Sequence, residues 1–160
     1  MIHIHLATVV LVLALGGLAW IDARSFRLPD LLTLPLIAAG VLLNAIILGT
    51  PWASLVGAGL GYGIFVAIEI AYRRLRGRDG LGRGDAKLLA AAGAWCGGWL
   101  LPIIVLVGAL SALLFIATIA LIRRQAPASG QPFAFGPWLA LGCLVGWIHR
   151  AYGPGLYPAF

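Results

Sequence analysis

The chain has 160 residues, of which 62% are hydrophobic and 10% charged, and its formal net charge is +6. A soluble domain carries roughly 25% charged residues, so these side chains cannot cover a water-soluble globule, and the composition points to a multi-pass membrane protein. The positive balance does not make a nucleic-acid face, because the cations sit in short loops between apolar runs, the pattern that controls membrane topology.

The first apolar run gives a span over about residues 3–21. It begins almost at Met1 without the basic stretch of a secretory signal, and Asp22-Ala23-Arg24 at its end is no small-residue cleavage site, so the run is expected to be retained. His3 and His5 stand at its outer end, two residues apart, a spacing that does not share a helix face, and are read as interfacial. A compact loop then runs from Asp22 to Asp30, stopped by Pro29, with Asp30 expected to cap the next helix.

Residues 31–72 are too long for one span of roughly 20 residues. Two spans are predicted, about 31–49 and 53–72, broken at Gly49-Thr50-Pro51. The glycines of Gly57-Ala58-Gly59-Leu60-Gly61-Tyr62-Gly63 permit close helix packing. Glu69 lies inside the third span, one turn before Arg73, and an i, i+4 ion pair accounts for it. An acid within a membrane span is also a functional candidate, and contact with positive charge on a substrate is the alternative.

Residues 88–122, as one helix, would be about 52 Å long against a bilayer core of about 30 Å. A hairpin is predicted instead, with spans about 87–100 and 102–122, a turn near Gly97-Gly98 and Pro102, and one short arm. The last span covers about 134–150. Trp52, Trp99, Trp138 and Trp147 fall near span ends or bends, as interfacial anchors do. Cys96 and Cys143 lie in apolar runs with no CxxC pair, so they read as small buried residues rather than zinc ligands.

The fold class expected is therefore all-α, six transmembrane helices in a single membrane domain over residues 1–160. Arg24 and Arg27 flank the first loop; Arg73, Arg74, Arg76, Arg78, Arg83 and Lys87 fill the second; Arg123 and Arg124 open the third; only Arg150 stands apart. Cation-rich loops lie in the cytoplasm, which places both termini outside. Two spans separate Asp22 from Asp85, so both acids emerge on the cytoplasmic side.

That parity gives the two acids a joint use. Asp85 closes Gly80-Leu81-Gly82-Arg83-Gly84-Asp85, whose glycines clear room for an extended backbone to lie close. An Asp at a helix start also caps exposed N–H groups, and Asp22 alone would pass for an interfacial charge beside Arg24. As a pair they suit peptide hydrolysis. One carboxylate takes a proton from water while the other, protonated, polarises the scissile carbonyl, and two close carboxyl groups share one proton because both cannot ionise cheaply. Lys87, two residues beyond Asp85, can orient or balance a carboxylate.

Three stretches carry a resemblance: Asp22 to Pro35, D-A-R-S-F-R-L-P-D-L-L-T-L-P; Gly77 to Gly93, G-R-D-G-L-G-R-G-D-A-K-L-L-A-A-A-G; and Gln131 to Gly142, Q-P-F-A-F-G-P-W-L-A-L-G. In their order and spacing the chain resembles the type IV prepilin peptidases, membrane aspartyl proteases of the GxGD class. The resemblance implies a catalytic pair of Asp22 and Asp85, signature glycines Gly82 and Gly84, and a site-shaping C-terminal loop at Pro132, Phe133, Gly136 and Pro137. It implies substrates that are prepilins or pseudopilins, with a basic leader and an apolar helix, cut after a glycine at the cytoplasmic face of the bacterial inner membrane. Many family members carry paired CxxC motifs in an N-terminal cytoplasmic segment and methylate the new amino terminus. Those motifs are absent from these residues, so neither zinc, another cofactor nor methyl transfer is expected. A small transporter, suggested by Glu69 and the glycine-rich spans, or a non-catalytic pilus assembly subunit are the rival readings. Lipid is the other expected partner, and nucleic acid is not.

Overall fold

A computed structural model describes residues 2–77, 82–124 and 133–153. Among them are six α-helices and no strand: α1 (Ile2–Ser25), α2 (Asp30–Leu43), α3 (Pro51–Arg76), α4 (Arg83–Cys96), α5 (Leu101–Arg123) and α6 (Gly136–Tyr152). Four helical stretches are long and apolar enough to cross a membrane: Ile2–Ser25, Asp30–Leu48, Pro51–Arg76 and Gly98–Arg123. Their outward faces carry Leu, Ile and Val in quantity, Leu31 at 84% and Leu121 at 80% exposure being extremes. Such faces are stable only against lipid.

The breaks between helices follow from backbone chemistry. After α2 a wide π turn, Asn44–Leu48, ends at Gly49, whose φ of +65° is a left-handed conformation that glycine adopts without strain. Pro51 then opens α3, where its missing N–H costs nothing. The apolar stretch from residue 88 breaks at Gly97, with φ +81°, and a single 3-10 turn at Gly98–Leu100 leads into α5, with Pro102 in its first turn. The short arm of that hairpin is α4.

Helix α4 is the centre of the molecule. Every residue from Leu88 to Cys96 is buried. At about 21 Å for 14 residues it is shorter than a bilayer core, and α2, α3 and α6 pack around it. The closest approach is to α3, where a side chain on Gly57 would run into the Gly93 carbonyl and one on Gly61 into the Leu89 carbonyl. Glycine is required there because backbone meets backbone. Gly142 faces the Ile104 carbonyl in the same way between α5 and α6. Trp95 on α4 donates through Nε1 to the Leu36 carbonyl at 2.8 Å and meets Trp147 of α6 edge-on, ring centroids 5.2 Å apart.

The end of the bundle away from the cation-rich loops is closed by a polar hub. Asn44 donates to the carbonyls of Gly40 (2.9 Å) and Ala94 (2.8 Å). Arg150 donates to the Cys96 carbonyl at 2.7 Å, to Asn44 Oδ1 at 2.6 Å and to Thr50 Oγ1 at 3.0 Å. The C-terminal carbonyls of α4, partially negative and without helical partners, thereby meet a cation.

Candidate active site

Helix α1 does not stop at Asp22 as the sequence suggested. It runs one turn further, to Ser25, whose Oγ donates back to the Ile21 carbonyl at 2.8 Å, and the connection begins at Phe26 with φ +53°. Asp22 is therefore a helical residue of the last turn, 5% exposed. Its Oδ2 accepts the backbone N–H of Gly136 at 2.9 Å, at the start of α6. A carboxylate at that place meets the partial positive charge of a helix N-terminus. Glycine at 136 lets the carboxylate come this close, since a Cβ there would lie 2.6 Å from Asp22 Oδ2 and 2.9 Å from Cγ.

Asp85 occupies the first turn of α4, outside the four long spans, after Gly82 in the position before the helix. It is partly buried. Burial, and then the charge of nearby Asp22, push its carboxyl up from 3.8 to about 6, against the Gly82 amide, which favours the ionised form. Asp22 and Asp85 line one cleft of about 330 Å³, together with Phe26, Arg27 and Leu28 from the first connection and with Gly82, Arg83, Gly84 and Lys87 from α4 and its approach. Two acids, 63 positions apart, are thus brought to one concave space between helices, large enough for several water molecules.

The other candidates divide. Gly84 packs on Leu28, where a Cβ would stand 3.0 Å from the Leu28 Cβ, whereas a Cβ on Gly82 would stand at an ordinary 3.6 Å from Asp85 Oδ2. Lys87 lines the cleft, but its Nζ pairs with Asp30 rather than with either cleft acid. Asp30 is the first residue of α2 and not its cap; Pro29 holds that position, and the Asp30 carboxylate is turned to Lys87 instead. Pro137 stands in the first turn of α6, and Phe133 is a half-exposed residue of the segment before it. Pro132 lies outside the described residues. Glu69 is 5% exposed and absent from the cleft lining; its Oε1 accepts from Arg73 Nη2 at 3.1 Å and stands 3.5 Å from Arg83 Nε.

Arg27 and Arg83 belong to the cleft although sequence reasoning counted them only as topology signals. Arg83, set between the two signature glycines and two residues before Asp85, was the detectable one. Nothing local announces Arg27.

The chain matches the type IV leader peptidase family (Peptidase_A24) over residues 9–117, a stretch that contains both Asp22 and Asp85. It is 44% identical over 138 residues to the prepilin leader peptidase/N-methyltransferase of Dickeya chrysanthemi, covering 86% of this chain and 48% of that protein. The proteins of the same description from Aeromonas salmonicida (strain A449) and Escherichia coli (strain K12) are 38% and 41% identical, over 94% and 80% of this chain and 50% and 56% of theirs. The chain spans about half the length of the curated relatives it matches. No solved structure matches. With a family match over more than half its residues, across the helices that carry the cleft, the chain belongs to the type IV leader peptidase family.

Proposed function

We propose that this chain is a membrane-embedded aspartic endopeptidase that removes the leader of type IV prepilins or pseudopilins, cutting after a glycine at the cytoplasmic face. The observation that carries the reading is the shared cleft of Asp22 and Asp85, set within a stretch that matches a leader peptidase family. Relatives of that description act on prepilins by their printed names, and their substrate class is carried over here as part of the proposal. Neither rival reading gains from this family membership.

The chemistry follows from the two environments. Asp22 accepts a backbone N–H at a helix N-terminus, an arrangement that suits a carboxylate, and is assigned as the base. Asp85, which holds its proton up to about pH 6, is assigned as the donor. Water loses a proton to Asp22 as its oxygen attacks the scissile carbonyl carbon, and Asp85 hydrogen-bonds the carbonyl oxygen. Proton return to the amide nitrogen then lets the C–N bond break and frees acid and amine. The pair titrates as a unit. Gly82 leaves the cleft open to an extended peptide, Gly84 and Gly136 let Leu28 and Asp22 pack close, Phe133 and Pro137 shape its mouth, and Lys87 fixes α4 to α2 beside it. Nothing in this dyad activates a methyl donor, so peptide cleavage alone is assigned to it. The apolar exterior and the grouping of cations at the cleft end favour a multi-pass inner-membrane placement with the cleft facing the cytoplasm.

The test is incubation of the purified protein, in lipid vesicles, with a panel of prepilin leaders joined to their apolar helices, followed by mass measurement of the products. The reading predicts a single cut after a glycine. Intact substrate across the panel would overturn it, as would cleavage that survives in Asp22→Asn.

A further inference from the structure

Helix α3 faces α4 with one stripe that steps by four residues. Gly57, Gly61, Phe65 and Glu69 are all buried on it. The two helices run antiparallel, with Gly57 against Gly93 and Gly61 against Leu89. Followed two turns further, the same register sets Glu69 against the start of α4, where Arg83 Nε stands 3.5 Å from Glu69 Oε1. The stripe that begins as backbone contact between glycines therefore ends as an ion pair at the mouth of the cleft. Arg83 is the single side chain between Gly82 and Gly84, and Asp85 follows directly. Glycines have no side chain with which to hold this turn against α3, and Leu28 touches Gly84 from a different connection.

We propose that Glu69 is a positioning residue of the aspartyl site: through Arg83 it anchors the glycine-flanked first turn of α4 to α3 and so holds Asp85 at its place in the cleft. The inference rests on the peptidase reading for its consequence, though not for its geometry. It also accounts for an acid in an apolar helix. Such a charge is tolerated when cations compensate it, and Arg73 from its own helix supplies a second at 3.1 Å. Arg73 sits four residues along α3, so its pair with Glu69 lies within one helix.

The experiment compares Glu69→Gln, Arg83→Gln, their double variant and Arg83→Lys, in vesicles, by steady-state cleavage and by amide hydrogen exchange over residues 82–87. Coupling within such a network corresponds to losses of about tenfold. Glu69→Gln and Arg83→Gln should each lower kcat by about that factor with KM little changed, and the double variant should be no worse than either. Arg83→Lys should keep kcat within about threefold. Exchange over 82–87 should quicken in Glu69→Gln and Arg83→Gln and stay close to the wild type in Arg83→Lys, which keeps the cation. Multiplying losses in the double variant, a loss confined to KM, or unaltered exchange would overturn the proposal. Exchange reads the tether without any substrate, so quickened exchange in a protein that cleaves nothing would overturn the peptidase reading and leave the tether standing.

Discussion

Gly136→Ala is the sharpest perturbation of the cleft that leaves both aspartates in place. Gly136 does not occupy the left-handed region, and alanine is the better helix former, so backbone preference predicts no harm. The harm is steric. The new Cβ would lie 2.6 Å from Asp22 Oδ2, 2.9 Å from Cγ and 3.1 Å from Cβ. The carboxylate has to turn away and release the 2.9 Å hydrogen bond from the Gly136 amide. A hydrogen bond to a charged group contributes about 1.5–3 kcal/mol, and 1.36 kcal/mol is tenfold in rate, so kcat/KM should fall about 10- to 100-fold. The assay is cleavage of one prepilin leader at substrate concentrations below KM, with thermal unfolding in detergent as a control. Stability lost in Gly136→Ala should be largely regained when Asp22→Ala is added, since the collision is then gone. A Gly136→Ala enzyme with more than half the wild-type kcat/KM would refute the placement of Asp22 against α6.

Asp85 makes stability fall as pH rises. The folded protein holds the Asp85 proton up to about pH 6 and the unfolded chain only to about 3.8, so the cost of ionising it grows through that window and is complete above it, at about 3 kcal/mol. Asp85→Asn should therefore be more stable than wild type at pH 7–8, with the difference gone near pH 4, by thermal unfolding; equal stability at both pH values would contradict the burial of this carboxyl. On the same grounds kcat/KM should decline on the alkaline side with an apparent pKa near 6, and a flat profile from pH 5 to 8 would refute the proton-donor role. Gly57→Ala should cost about 1–3 kcal/mol, because its methyl meets the Gly93 carbonyl; a change within about 0.5 kcal/mol would show that α3 and α4 are not backbone-packed. Arg150→Met removes the cation from the Cys96 carbonyl and Asn44, and a loss of about 1.5–3 kcal/mol is expected in detergent unfolding, an unchanged midpoint being the contrary result.

The sequence carried the helices well because their signals are local. Runs of apolar residues, Pro51 and Pro102 at helix starts, and Gly49 and Gly97 at breaks are each decided within a few positions. The parity of Asp22 and Asp85 was legible because membrane topology allows only two ends. What escaped is what tertiary packing decides. The Asp22 carboxylate lies against the start of α6, and no neighbouring residue in sequence says so. Glu69 was read through Arg73, four residues away, while Arg83, fourteen residues away and on another helix, was invisible to a local rule. Lys87 was read with Asp85, two residues before it, and took Asp30 instead because α2 packs on α4. The Asn44 and Arg150 hub had a signal in its parts: an asparagine within an apolar stretch and an arginine outside every cation cluster. Each needs a buried partner, and each found the other.

In the proposed mechanism the two cleft carboxyl groups act as one device. The direct measurement is single-turnover cleavage of a prepilin leader by wild type, Asp22→Asn, Asp85→Asn and the double variant, each shown to be folded by its unfolding transition. Groups that act as a unit give grossly non-additive losses, so each single variant should lose at least about a thousandfold in rate and the double variant should be no worse. A single variant that retains most of the wild-type rate, or losses that multiply in the double, would contradict the account.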